Sequence, residues 1–199
     1  MIGLTETHHG HHHSVPFGKF IYGNDSEYDE AFNGVDGVNR KDGVAIWHAA
    51  AKQDNFNDVQ ICRLVQKAVL WTRERHARTW INYFTVYINP KLSKGEVKEL
   101  FTEIMWGILS EIGMQKEKQH IVLMGDLNKL GTEWADKNLP LYGFKKTHTQ
   151  NTLGHRKLDQ MWVSKEIIVK KAEYFDNFNK HDHSYIYAEL LCEVDNEDW

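Results

Sequence analysis

Cysteine is scarce in this chain of 199 residues. Only Cys62 and Cys192 occur, too few for a disulfide framework and in keeping with a reducing compartment. Long hydrophobic runs are missing too: no apolar stretch approaches the roughly 18 residues that a membrane-spanning helix needs. No cationic, apolar leader of the secretory kind opens the sequence, so an intracellular location is expected. Positive charge is not in excess. Twenty-four Lys and Arg stand against 28 Asp and Glu, a net charge of −4, which argues against a surface that grips polyanions everywhere. Repeats, heptads and low-complexity linkers are also absent. The apolar fraction of 41% is ordinary for a globular protein, and the length suits one domain with a substantial core better than two.

Local basic clusters do occur within this acidic whole. They are Arg73, Arg75 and Arg78; Lys145 and Lys146; Arg156 and Lys157; and Lys165, Lys170 and Lys171. Each reads as a solvated face or turn, or as a site for a polyanion. The second reading gains weight for Lys145 to Lys157, which lead into an acidic motif.

The hydropathy pattern predicts an α/β protein. Residues 22–42, rich in Gly, Asp and Asn, read as a loop with room for a short strand. Gly43 to His48 form a strand candidate, and residues 57–65 a short helix or strand. Val69–Thr72 and Trp80–Ile88 read as strands joined by the polar stretch Arg73 to Arg78. A helix is predicted over 94–112: Ser93 and Glu96 fit a capping box and Gly113 a stop. Its core face is Val97, Leu100, Phe101, Ile104, Met105, Ile108, Leu109 and Ile112. His120 to Met124 read as a strand buried on both faces, followed by strands at Met161–Val163 and Ile186–Leu191. The expected architecture is two packed sheets flanked by helices.

Four short motifs punctuate this pattern. They are Glu6 in Leu4-Thr5-Glu6-Thr7, Asp126 and Asn128 in Met124-Gly125-Asp126-Leu127-Asn128, Asp159 in Lys157-Leu158-Asp159-Gln160, and the pair Asp182-His183. Carboxylates at strand ends suit a hard metal ion, and a histidine suits proton transfer, a combination fit for hydrolysis of phosphate esters. In an extended segment Asp126 and Asn128 project to one side, an acceptor beside an amide donor; an Asx-type turn is the alternative. His183 needs a partner on its second ring nitrogen, and Asp159 is a candidate. The tract His8-His9-Gly10-His11-His12-His13 could bind transition metals, but the carboxylates favour Mg²⁺ or Mn²⁺. His155 reads equally as a phosphate contact or a turn residue, with Arg156 beside it as a second substrate contact.

These motifs, with Gly43-Val44-Ala45-Ile46, Val86-Tyr87-Ile88-Asn89-Pro90 and Leu158-Asp159-Gln160-Met161-Trp162-Val163-Ser164, follow one order from residue 2 to about 191. In that order the chain resembles the endonuclease/exonuclease/phosphatase superfamily. The resemblance is closest to endonuclease domains of LINE-type non-LTR retrotransposons, related to AP endonucleases. It implies a single domain folded as a four-layer α/β/β/α sandwich of DNase I type, with divalent-metal catalysis, normally by Mg²⁺. It implies that Glu6 is the principal metal carboxylate and Asp182 a second acidic contributor. His183 would contact the scissile phosphate or activate water, oriented by Asp159, while Asp126 and Asn128 position nucleophile and phosphate. Tyr87 would steady the phosphate or leaving group, cross-strand packing being its alternative role. DNA is the implied substrate, nicked in the nucleus if it is chromosomal, with a reverse transcriptase on another chain or domain as partner. A phosphoesterase on abasic DNA, RNA or a small phosphate ester is the second reading, and an inactive binding module the third.

Three departures from the family pattern accompany the resemblance. The family's opening strand, which carries an asparagine, has no counterpart ahead of Glu6, so a chain shortened at that end is expected. His181 stands where the family has Ser or Thr, and Gln160 where an aromatic or basic residue is usual.

Overall fold

The computed structural model describes residues 2–5, 18–22, 44–49, 59–65, 69–148, 158–175 and 185–193. Its centre is a β-hairpin, β5 (Val69–His76) and β6 (Thr79–Tyr87), turned at Ala77, whose φ of 52° lies in the left-handed region. The stretch Arg73 to His76, expected as a connection, is strand. Arg73 and Arg75 fall on the same face as Trp80, with the Arg73 guanidinium 4.3 Å and the Arg75 guanidinium 5.9 Å from its ring centre. Their stems cover aromatic surface while their charges stay wet, so a basic segment remains in register.

From β6 the chain crosses over through a helix and returns parallel as β7 (Lys118–Asp126). The crossover opens with α1 (Lys94–Glu103), capped as predicted: the Ser93 hydroxyl accepts from the Glu96 N–H at 3.3 Å, and the Glu96 carboxylate accepts from the Ser93 N–H at 2.8 Å. Those bonds hold the Glu96 carboxyl below its ordinary range. The single helix expected over 94–112 is broken in the middle. Ile104–Ile108 is a π-helical turn, and α-geometry resumes only in α2 (Leu109–Gly113). The wider turn keeps Ile104, Met105 and Ile112 buried with Val97, Leu100 and Phe101, and leaves Trp106 70% exposed.

The central sheet has six strands in the order β4 (Val59–Val65), β5, β6, β7, β9 (Asp159–Ser164), β8 (Phe144–Lys146). The β6–β7 pair is parallel and every other pair is antiparallel. Of the stretch 57–65, expected as a short helix or strand, Val59–Val65 is strand. One face of the sheet, with Trp71, Phe84, Val86, Leu123 and Trp162, packs under α1, α2 and α3 (Asn128–Asn138). Phe101 and Trp134 stack between α1 and α3 with ring centres 4.3 Å apart.

The other face carries Ile81, Val122 and Val163. Partly buried Val169, Leu190 and Cys192 pack on it from the antiparallel pair β10 (Ile168–Phe175) and β11 (Tyr185–Leu191). A three-stranded sheet, β1 (Ile2–Thr5), β3 (Val44–Ala49) and β2 (Gly18–Tyr22), completes this second β layer, with β1 against β6 and β7 and β3 against β5 and β6. Strands β2, β8 and β10 and helix α3 were not expected from sequence. β8 has three residues, and β10 sets Lys170, Lys171 and Glu173 among apolar positions, with a bulge between Val169 and Lys171 that breaks the alternation. Among the described residues no helix is long and apolar enough to cross a membrane.

Gly125 fixes how closely β7 approaches β6. Its φ is 142°, and a Cβ placed there would lie 1.9 Å from the Val86 carbonyl oxygen. Gly125→Ala should therefore destabilise the fold by about 3 kcal/mol or more, whereas Ser93→Ala should cost about 1 kcal/mol. Urea unfolding of the two variants beside the parent chain checks both values.

Candidate active site

Two register relations build the site. Tyr87 on β6 is paired with Asp126 on β7, and Asp126 is paired with Asp159 on β9. Directly paired residues share a face, so the three form one row across three strands at the C-terminal end of β6 and β7. The face is the one that bears Ile81, Val122 and Val163, toward the second β layer. Tyr87 and Asp126 are buried, and Asp159 is half-buried at the row's open end.

Asp126 is the last residue of β7, and the chain turns away at once into α3. Asn128 has φ 49° and is the first residue of that helix, so the expected extended pair does not exist. An Asx-type turn brings the two together instead. The Asn128 backbone N–H donates to Asp126 Oδ1 at 2.9 Å, and Asn128 Nδ2 donates to Asp126 Oδ2 at 3.2 Å and to the Ile88 carbonyl at 2.8 Å. Both amide hydrogens of Asn128 thus serve to hold the carboxylate and the end of β6. Asn128 is a clamp on Asp126, and its carbonyl oxygen makes none of these bonds.

Backbone bonds fix the same corner: the Ile88 N–H donates to the Asp126 carbonyl and the Leu127 N–H to the Leu158 carbonyl, each at 2.9 Å. Beside it opens a cleft of about 230 Å³ lined by Ile88, Asn89, Pro90, Asn128, Lys129, Leu130 and Leu158. Lys129 brings a cation to this rim that the motif reading did not single out.

Two more residues near Asp159 escaped the sequence reading. The Tyr174 phenol is pushed up to about 12, chiefly by burial and then by the negative charges of Asp159 and Asp136. His148 lies against Tyr174, ring centres 4.4 Å apart, with Nδ1 2.6 Å from Thr147 Oγ1 and Nε2 3.0 Å from the Glu173 carbonyl. The only available signal was Tyr174 recurring on an alternating strand, and β10 was itself missed. Gln160 points to the helices: it donates to Thr132 Oγ1 at 3.0 Å and accepts from Trp162 Nε1 at 2.8 Å, tying β9 to α3. Its departure from the family pattern is a matter of packing.

Glu6, His155, Arg156, Asp182 and His183, and the histidine tract 8–13, lie outside the described residues. The flanking strands are described: β1, which leads to Glu6, lies against β6 and β7, and β11 begins two residues after His183. Among the described residues no three metal-ligating side chains come together. The carboxyls of Asp126 and Asp159, paired in register, are donors of the hard oxygen type. Two carboxyls opposed across a strand pair make an anionic corner whose charge a nearby divalent cation would offset. The chemistry of this pair therefore fits Mg²⁺ or Mn²⁺. Cys192 plays no part: burial first, then Glu74, pushes its thiol up.

The architecture is a known fold, shared with solved endonucleases and phosphatases of the endonuclease/exonuclease/phosphatase type. The endonuclease domain of TRAS1, a telomere-specific non-LTR retrotransposon, matches with a TM-score of 0.61 at 11% identity, over 89% of this chain and 81% of that one. The 3′ phosphatase NExo from Neisseria, solved with a product DNA hairpin, gives 0.57 at 15% identity over 88% and 80%. An endonuclease/exonuclease/phosphatase family protein from Bacteroides thetaiotaomicron gives 0.55 at 13% over 88% and 74%. No protein-family profile and no curated protein sequence matches the chain.

The placement of Asp159 beside Tyr174 has a direct spectroscopic consequence. Tyr174 should ionise near pH 12, and Asp159→Asn should bring that transition back toward the ordinary value of 10. Ultraviolet difference titration against Tyr174→Phe isolates the residue and checks both.

Proposed function

We propose that this chain is a divalent-metal-dependent phosphodiesterase of nucleic acids, and most specifically a DNA-nicking endonuclease of retroelement origin. The observation that carries the reading is the cross-strand row Tyr87–Asp126–Asp159, at strand ends beside a cleft with a cationic rim. Its support from outside the chain is the shared fold with a retrotransposon endonuclease domain and with a phosphatase solved with DNA.

In this reading Glu6 and Asp182 would hold Mg²⁺, with Mn²⁺ as a substitute, and the bound ion would supply charge stabilisation on the phosphoryl oxygens. The chain's own groups do the rest. Asp126, fixed by the Asn128 N–H and amide, accepts the proton of the attacking water. Water oxygen bonds to phosphorus, the P–O3′ bond breaks, and the leaving oxygen takes up a proton. His183, oriented by Asp159, contacts the phosphate and manages that proton. The Tyr87 hydroxyl donates to a phosphoryl oxygen, while His155 and Arg156 bind flanking phosphates. The nick leaves a 3′-hydroxyl, a primer that a reverse transcriptase on another chain or domain would extend, which places the work in the nucleus when the target is chromosomal. The second reading, hydrolysis of a phosphomonoester, draws on the fold shared with a 3′ phosphatase.

Relaxation of supercoiled plasmid in Mg²⁺ or Mn²⁺ tests the proposal. Nicking should vanish with a chelator and fall by about 10²-fold or more in His183→Ala and in Asp126→Asn, with a smaller loss in Asn128→Ala. Metal-dependent phosphate release without nicking selects the second reading. Full activity in Asp126→Asn would remove it from the role of base.

A further inference from the structure

A second open pocket is at the other end of the central sheet. It has a volume of about 410 Å³ and is lined by Arg75, Arg78, Lys116, Glu117 and Lys118. These come from the β5–β6 turn and from the approach to β7, where Thr79 pairs with Lys118. The row Tyr87–Asp126 is eight residues further along the same two strands, so the pocket is about 26 Å from it. The two sites share no residue.

Four cations around one carboxylate give the pocket a positive charge in a protein whose net charge is −4. Glu117 is itself committed. One oxygen accepts from Arg75 at 2.6 Å and the other from the Trp80 indole N–H, so it holds a guanidinium and the aromatic floor in place. Arg73 and Arg75 lie over that same indole. Lys118 pairs at 3.3 Å with Glu193, a weak exposed contact. Arg78 and Lys116 are exposed and have no ion-pair partner among the described residues. The outcome is a guanidinium fixed in position with two unengaged cations beside it. At about 410 Å³ it is broader than one small anion fills, and its charges come from two segments, the β5–β6 turn and the approach to β7. Both features match a sugar-phosphate backbone.

We propose that this pocket is a second nucleic-acid contact, which holds backbone phosphates of DNA outside the catalytic cleft. It reads no bases, since Trp80 is buried beneath the arginines. Its work is to add affinity and hold a long substrate. Two engaged cations correspond to a salt slope steeper by about 2.

The test is equilibrium binding of a labelled duplex of about 20 base pairs, long enough to reach past the ~26 Å separation, over a salt series without divalent metal. Arg78→Glu/Lys116→Glu should weaken binding at least about tenfold and flatten the log–log salt slope by about 2. Lys98→Glu/Lys137→Glu, of equal net charge, on helices α1 and α3 and outside the pocket lining, should stay within about twofold of the parent. The milder Arg78→Gln/Lys116→Gln carries the same test if charge reversal impairs folding. Equal losses in the pocket and control variants, or unchanged binding in the pocket variants, overturn the proposal. So does saturable binding of inorganic phosphate with no salt-dependent binding of the duplex. The readout needs no hydrolysis, so a chain that binds through this pocket but nicks nothing would separate this inference from the proposed activity.

Discussion

The parallel pairing of β6 with β7 is the constraint on which the rest of the molecule depends. It is the one parallel contact in the central sheet, and its register sets Tyr87 beside Asp126. A parallel pair needs a crossover, and the helical run from Lys94 to Gly113 supplies both the connection and the apolar lid that buries the sheet's upper face. Three devices lock the register. Buried Asn82 accepts from the Trp71 indole at 3.1 Å and donates to Gln119 Oε1 at 2.9 Å and the His120 carbonyl at 3.2 Å, sewing β5, β6 and β7 together. Gly125 lets the strands close at Val86. The Asn128 amide then clips the two strand ends through Ile88 and Asp126.

The polar groups of the sheet are divided by face and by end. The helix face carries apolar side chains and the buried amides of Asn82 and Gln160 through its middle, with its charges gathered at the β5–β6 turn around Trp80. The face toward the second β layer is apolar in the middle and ionisable at both ends, the candidate site at one and Glu74 at the other. Buried Glu74 accepts from the Tyr83 hydroxyl at 2.8 Å and lies 2.9 Å from His76 Nε2, while burial and that carboxylate push the Tyr83 phenol well up.

Much of the fold was legible in the sequence because its signals are local. The Ser93–Glu96 box marks a helix start by its own hydrogen bonds, and the apolar runs of β6 and β7 mark strands buried on both sides. What escaped depended on distant partners. Arg73 to His76 reads as a loop until Trp80 is seen under the arginines, and β10 reads as a lysine-bearing turn until β11 pairs with it. The π-turn at Ile104–Ile108 left no mark on the apolar spacing, since it only widens one turn to suit the sheet beneath.

The sequence by itself determined the chemistry and order of the motifs: which carboxylates, amide and tyrosine are present, and that Asp126 and Asp159 stand at strand ends. It also pointed to the fold, since the fold found is the one that the order of the motifs implied. Only the tertiary structure decided who stands next to whom. Tyr87, Asp126 and Asp159, spread over 73 positions of chain, become one row because hydrogen-bond register, a long-range property, makes them neighbours. It also decided that Asn128 clamps Asp126 instead of projecting beside it, since a left-handed backbone at the start of α3 turns its amide back onto the carboxylate. Side-chain identity is written residue by residue; register and turn geometry emerge only when the strands meet.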